Sequence, residues 1–134
     1  MQINIDLLID QLYPDFNARN IDQILPLFST TVDWPNGMTG GREIGHDAVR
    51  EYWTNQWQQI SSKVTPISYR LVDEKIALEV QQTITDMEGE VISSSVVFHT
   101  WCFENGKVAR MDISEDVPDF AAAIPKLEVQ HKID

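Results

Sequence analysis

The dipeptide Asn105-Gly106, set between two runs of alternating apolar and polar residues, constrains this chain more than any other feature. Both residues accept a positive φ, which a type I′ turn needs at its two central positions, and that turn's twist matches paired strands. It predicts a hairpin with Phe103 opposite Val108, Trp101 opposite Arg110 and His99 opposite Asp112. Side chains alternate faces along a strand, so these residues share one face while Phe98, Thr100, Cys102, Ala109, Met111 and Ile113 share the other.

The same period runs back to about residue 66. The segments ISYRLV, KIALEVQQTIT and EVISSSVVFHTWCF, separated by DE and DMEG, read as an antiparallel meander. A loop over Asp86 to Gly89 sets Val80 opposite Ser95, Leu78 opposite Val97 and Ile76 opposite His99. The face of His99 then carries Ile76, Leu78, Val80, Ile84, Val91 and Val97, against Glu79, Gln81 and Thr83 behind. The cluster His99, Arg110 and Asp112 is thus expected on the core side, where buried charge must be paired or used.

Before the strands the period is helical. Residues 4–18 place Leu8, Leu12, Tyr13 and Phe16 on one face, with Pro14 expected to kink the helix. NIDQILPLF fits a short element capped by Asn20 and bent at Pro26. TTVDWP reads as a brief strand ending at Trp34, and the glycine-rich MTGGREIG as a flexible flap over a cavity mouth. In HDAVREYWTNQWQQI, capped by Asp47, the residues Val49, Tyr52, Trp53, Gln56, Trp57 and Ile60 form an amphipathic stripe. Helices followed by strands predict an α+β fold, three N-terminal helices packed on the concave face of a curved antiparallel sheet.

At 134 residues the chain is expected to be a single domain over 1–134, with 118–134 as a C-terminal tail. It carries 21 acidic against 10 basic residues, a net charge of −11 that repels nucleic-acid phosphates and anionic membranes. No apolar run reaches the roughly 18 residues of a membrane span. The single Cys102 excludes an internal disulfide, and the opening MQINIDLLIDQL lacks the pattern of a signal peptide, so the expected location is cytoplasmic. Histidines at 46, 99 and 131 lack metal-ligand spacing, and MTGGREIG lacks the phosphate-loop spacing, so neither a metal nor another cofactor is expected.

Together LYPDFNARNIDQILPLF, VDWPNG, GHDAVREYW and FHTWCFENGKVARMDI resemble, in order and spacing, the ketosteroid-isomerase and SnoaL-like branch of the nuclear transport factor 2-like superfamily. The resemblance spans residues 12 to about 114 and implies that branch's cone-shaped α+β (cystatin-like) fold. It also implies that Tyr13 stands where the isomerases keep a tyrosine that donates to the substrate oxygen, and His99 where they keep a protonated aspartic acid. Where they place a proton-abstracting aspartate before proline, this chain has Trp34, with Asp33 on the strand's other side. Asp112 resembles the acid/base carboxylate of SnoaL-like cyclases, and Arg110-x-Asp112 echoes the charged triad of epoxide hydrolases.

The expected function is small-molecule binding in an enclosed pocket. It extends to a cofactor-independent isomerase, cyclase, dehydratase or hydrolase of a hydrophobic oxygenated substrate, and the alternative is a non-catalytic ligand-binding or dimeric structural module. The catalytic candidates are His99 and Asp112 as a hydrogen-bonded pair for proton transfer, with Tyr13 polarising the substrate. The substrate-binding candidates are Phe16, Trp34, Tyr52, Trp57, Trp101 and Arg110. The outward patch Phe98, Cys102, Met111 and Ile113 is expected to pair two copies as a homodimer through the sheet.

Overall fold

A computed structural model describes residues 5–73, 75–118 and 127–128. Helix α1 begins with wide π-type turns over Leu7–Leu12 and continues as α-helix over Tyr13–Asn17. Pro14 explains the change: it has no N–H to offer the carbonyl of Asp10, and its ring crowds that carbonyl. The bond from the Tyr13 N–H to the Leu8 carbonyl widens the helix and absorbs the conflict, so α1 accommodates its proline through a π-type segment. Leu8, Ile9, Leu12 and Tyr13 are buried on the resulting face. Helix α2 (Ile21–Ile24) tightens into a 3₁₀ turn over Leu25–Leu27, at Pro26, and leads into strand β1 (Phe28–Pro35).

Strand β2 (Arg42–Ile44) folds back on β1, pairing Trp34 with Glu43 and Pro35 with Arg42. The run expected to be a flexible flap is therefore half hairpin strand, and its turn is held by Asn36, whose Oδ1 accepts from the Met38 and Thr39 N–H groups. Helix α3 (His46–Gln56) follows, capped by Gly45 and not by Asp47. The backbone at Gly45 sits at φ +91°, and a Cβ there would come within 3.4 Å of the Thr30 carbonyl, which favours glycine.

Strands β3 (Ile60–Val72), β4 (Lys75–Asp86), β5 (Val91–Glu104) and β6 (Lys107–Ser114) form the meander, and β7 (Leu127–Glu128) adds to β3. The curved sheet runs β2-β1-β6-β5-β4-β3-β7, with β1 and β6 parallel and its other pairs antiparallel. Apart from Pro118 and Leu127–Glu128, the expected tail lies outside the described residues. No helix among the described residues is long and apolar enough to cross a membrane.

Two registers differ from expectation, with opposite consequences. Between β4 and β5, Val80 pairs with Val97, Leu78 with His99 and Ile76 with Trp101. The turn lies one residue later than expected, over 87–90, closed by Glu88 and Glu90 N–H groups on Asp86 Oδ1, and an irregularity at Ile84/Thr85 adds a second residue to the shift. The shift is even, so every residue from Ile76 to Val80 keeps its face.

Between β5 and β6, Phe103 does pair with Val108, but a bulge follows and Ala109 is skipped. Cys102 then pairs with Arg110, Trp101 with Met111, Thr100 with Asp112 and His99 with Ile113. A shift by one residue reverses faces. Met111 turns in and is buried, while Arg110 and Asp112 turn out. The expected His99–Asp112 pair is thus absent, its members lying on opposite faces of the sheet. The physical reason is burial: a straight ladder would place a guanidinium and a carboxylate against the core and leave Met111 in water.

On the outer face those charges find partners. Arg110 donates to Asp33 Oδ2 at 2.8 Å and to both Asp112 oxygens at 2.8 and 3.0 Å. Arg42 donates to Asp112 Oδ1 at 2.9 Å, to Asp33 Oδ1, and to the carbonyls of Asp33 and Met111. Burial pushes the Asp112 carboxyl up, but hydrogen bonds and charges from Arg110 and Arg42 outweigh it and hold the group below its ordinary range. The network ties β1, β2 and β6 together. The bulge also turns Met111 and Ile113 to the cavity side, so of the patch expected to join two copies Phe98 and Cys102 keep the outer face.

Candidate functional site

Helices α1 and α3 lie over the sheet's concave face and enclose with it a cavity of about 130 Å³. A single water takes roughly 10–15 Å³ on this scale, so the space admits a small ring compound. Its inner walls are aromatic. Tyr13 and Phe16 come from α1, Trp34 from β1, Tyr52 and Trp53 from α3, and Trp101 from β5. Leu12, Val64, Ile84, Met111 and Ile113 fill the gaps between them, and Met38 stands on the β1–β2 turn. The polar side chains among the described residues that reach the cavity besides Tyr13 and Tyr52 are His99, Gln56, Ser62 and Gln82, and no charged residue among the described ones lines it.

His99 and its neighbours form a directed chain. Trp101 Nε1–H donates to the Tyr13 hydroxyl oxygen at 3.2 Å, and that hydroxyl lies 2.6 Å from His99 Nδ1. Indole nitrogen can only donate, so the Tyr13 oxygen accepts there; we assign the Tyr13 proton to Nδ1, because donation from an Nδ1–H would leave both the Tyr13 O–H and the His99 Nε2 without a partner. His99 is then the Nε2–H tautomer. That Nε2 is buried without a partner, and among the buried side-chain polar atoms so left it is the one belonging to a cavity-lining residue.

Burial fixes the protonation states. With no anion beside it, the His99 imidazole is pushed down to about 3 and is neutral at physiological pH. Burial likewise pushes the Tyr13 phenol well above its ordinary value, the bond from Trp101 opposing only part of this. Near the mouth, the Tyr52 oxygen accepts from Gly37 N–H at 2.9 Å and Gln56 Nε2 at 2.8 Å. Burial raises the Tyr52 phenol too, partly offset by the bonds from Gly37 and Gln56. Met38, Tyr52 and Gln56 also border a second, polar groove containing Glu43, Glu51 and Asn55.

Of the residues singled out in the sequence, Tyr13, Phe16, Trp34, Tyr52, His99 and Trp101 come together around the one cavity. Trp57 does not. It stacks on Trp53 with ring centroids 5.5 Å apart and lies under the Arg19 guanidinium, 4.8 Å from its ring. Arg110 and Asp112 are excluded by the bulge, so the echo of a charged triad has no counterpart inside the cavity. Sequence reasoning missed Met111 and Ile113 as lining residues, and Trp53, 1% exposed, is both core and cavity wall. Trp53 shares the α3 face of Tyr52, but nothing in the pattern marked the bulge that turns Met111 inward. Among the described residues no group of three or more His, Cys, Asp or Glu could hold a metal ion.

The architecture has many counterparts among solved structures. An NTF2-like protein of unknown function from Burkholderia pseudomallei K96243 superposes with a TM-score of 0.74 at 24% identity, covering 87% of this chain and 92% of its own. TerC, co-crystallised with polyporic acid, gives 0.70 at 23% identity over 81% of this chain and 88% of its own. An LEH-like epoxide hydrolase of M. tuberculosis gives 0.67 at 10% identity over 84% and 82%. At these identities the likeness establishes the NTF2-like fold. No curated protein matches the chain. The SnoaL-like domain family matches residues 9–111, the span from α1 to the inward-turned Met111, and the chain belongs to that family.

Proposed function

We propose that this protein binds a small, neutral, oxygenated ring compound, whose oxygen accepts a hydrogen bond from His99 Nε2–H. The observation that carries this reading is the donor itself. A buried N–H without a partner costs about 1–3 kcal/mol, and a ligand oxygen at that atom recovers it. The Trp101–Tyr13 chain supports the role by fixing the tautomer, so Tyr13 acts as a positioning residue with no donor to spare for the ligand. Aromatic walls favour a flat apolar body, and the absence of lining charge favours a neutral one.

Proton abstraction is less well supported than binding. An imidazole held near 3 is a poor base, and the carboxylates Asp33 and Asp112 are engaged on the outer face. A neutral imidazole can polarise a carbonyl, as an electrophile does, but isomerisation or cyclisation also needs a base, and none stands among the described residues that line the cavity. The LEH-like relative lends the hydrolase reading its fold only. The cavity argues against a purely structural module.

The test is a titration with 1-tetralone, followed by quenching of the cavity-lining tryptophans, for the unmodified protein and His99→Phe. Binding should weaken about tenfold in the variant, the effect of roughly 1.4 kcal/mol from one hydrogen bond. Tetralin, which lacks the oxygen, should bind both proteins alike. Equal affinity of 1-tetralone for the two would refute the proposal.

A further inference from the structure

The cavity holds a second donor, at its other end. The Tyr52 oxygen already accepts from the Gly37 N–H and the Gln56 amide, which fill its two lone-pair directions. With the Gln56 amide oriented to donate, no hydrogen bond runs from the Tyr52 O–H to another described residue, and Tyr52, 9% exposed, lines both the cavity and the polar groove. Donors of this kind call for a ligand atom as His99 does, and the two come from different elements, Tyr52 from α3 and His99 from β5. The inner one stands beside Tyr13 and Trp101, the outer one beside the β1–β2 turn and the polar groove.

We infer that the ligand is a planar ring system with two carbonyl-type acceptors, of the quinone or cyclic 1,4-diketone class, one oxygen taking the His99 Nε2–H and the other the Tyr52 O–H. A molecule with one acceptor engages one of these donors and forgoes the other, so the pair favours a ligand with two. The aromatic walls between the donors, Trp34, Trp53 and Trp101, suit the flat body of such a compound. The high affinity of the Tyr52 phenol for its proton keeps it a donor across the physiological range. This inference rests on the His99 reading and adds the second contact.

The test compares 2,3-dimethyl-1,4-naphthoquinone, whose thiol-reactive carbons are blocked, with 2,2-dimethyl-1-tetralone, which has one carbonyl. The unmodified protein should prefer the dione by about tenfold, one further hydrogen bond. In Tyr52→Phe that preference should vanish, with circular dichroism and a cooperative urea transition showing that the variant is folded. Infrared difference spectra with each carbonyl labelled in turn give an independent reading: two red-shifted carbonyl bands in the unmodified protein, one in Tyr52→Phe. Equal affinity for the two compounds in the unmodified protein, with His99→Phe weakening both, would overturn the two-donor inference and leave the His99 reading standing. If neither compound's binding depends on His99, both fall together.

Discussion

Acid should destabilise this protein through His99, and the size of the effect follows from burial. The imidazole has an ordinary value of 6.5 and is pushed down to about 3 in the fold. Between those values the unfolded chain binds a proton that the folded protein refuses, so stability falls as pH drops below 6.5. At pH 7 the penalty is about 0.2 kcal/mol, and at pH 5 it reaches about 2 kcal/mol. The window avoids the carboxylates. Asp112 is held below its ordinary range, so the stability it contributes is lost only as pH falls through lower values. Urea denaturation at pH 7 and pH 5 should therefore be run on the unmodified protein and on His99→Phe. Effects of His46, His131 and the overall acidic charge occur in both and cancel in the comparison. With a slope of about 1–3 kcal/mol per molar urea, the unmodified protein should lose about 1 M more in midpoint than the variant between the two pH values. Identical pH dependence would show that His99 titrates normally, and the buried neutral donor would no longer be available to the ligand argument.

Other perturbations test other joints of the structure. Tyr13→Phe strands the Trp101 N–H and frees His99 Nδ1, costing about 1–3 kcal/mol in denaturant unfolding. Nitrogen NMR of His99 should then change from a pure Nε2–H tautomer to a mixture. Arg42→Met removes donors to two carboxylates and two backbone carbonyls; because the side chain is 27% exposed, the expected loss is about 2 kcal/mol, with faster amide exchange in β2. Deleting Ala109 should straighten the β5–β6 ladder while leaving Arg110 opposite Cys102 and Met111 opposite Trp101, so that each keeps its present face. The deletion variant should therefore still unfold cooperatively in urea, and loss of cooperativity would refute this register; Ala109→Gly, which keeps the bulge, should cost about 1 kcal/mol or less.

Much of the fold was legible because it depends on patterns that local physics enforces. Asn105-Gly106 set the hairpin end at Phe103 and Val108, and alternating residues in β4 identified its buried face. Tyr52 and Trp53 lay on the apolar stripe of α3. The misreadings have particular causes. The π-type segment that accommodates the missing N–H of Pro14 has no mark of its own in the sequence. Asp47 looked like a cap, yet Gly45 alone suits the φ that turns β2 into α3. Counting outward from a turn assumes an unbroken ladder, and one skipped residue at Ala109 exchanged Arg110 and Asp112 for Met111 and Ile113.

That exchange decides the chemistry of the site. In a straight ladder His99 would face a carboxylate, which would raise its basicity and make it a proton-transfer group. With the bulge its cross-strand neighbour is Ile113, its ring partner is a phenol, and burial alone sets its charge. The same step moves two ionised side chains to a surface where Asp33 and Arg42 neutralise them. The outer charge network and the uncharged cavity are therefore consequences of one backbone irregularity. A ligand entering the cavity meets donors without counter-charges, in a protein of net charge −11. An anionic ligand would lose its hydration and gain no cation, so the geometry selects neutral acceptors over carboxylates of the same shape.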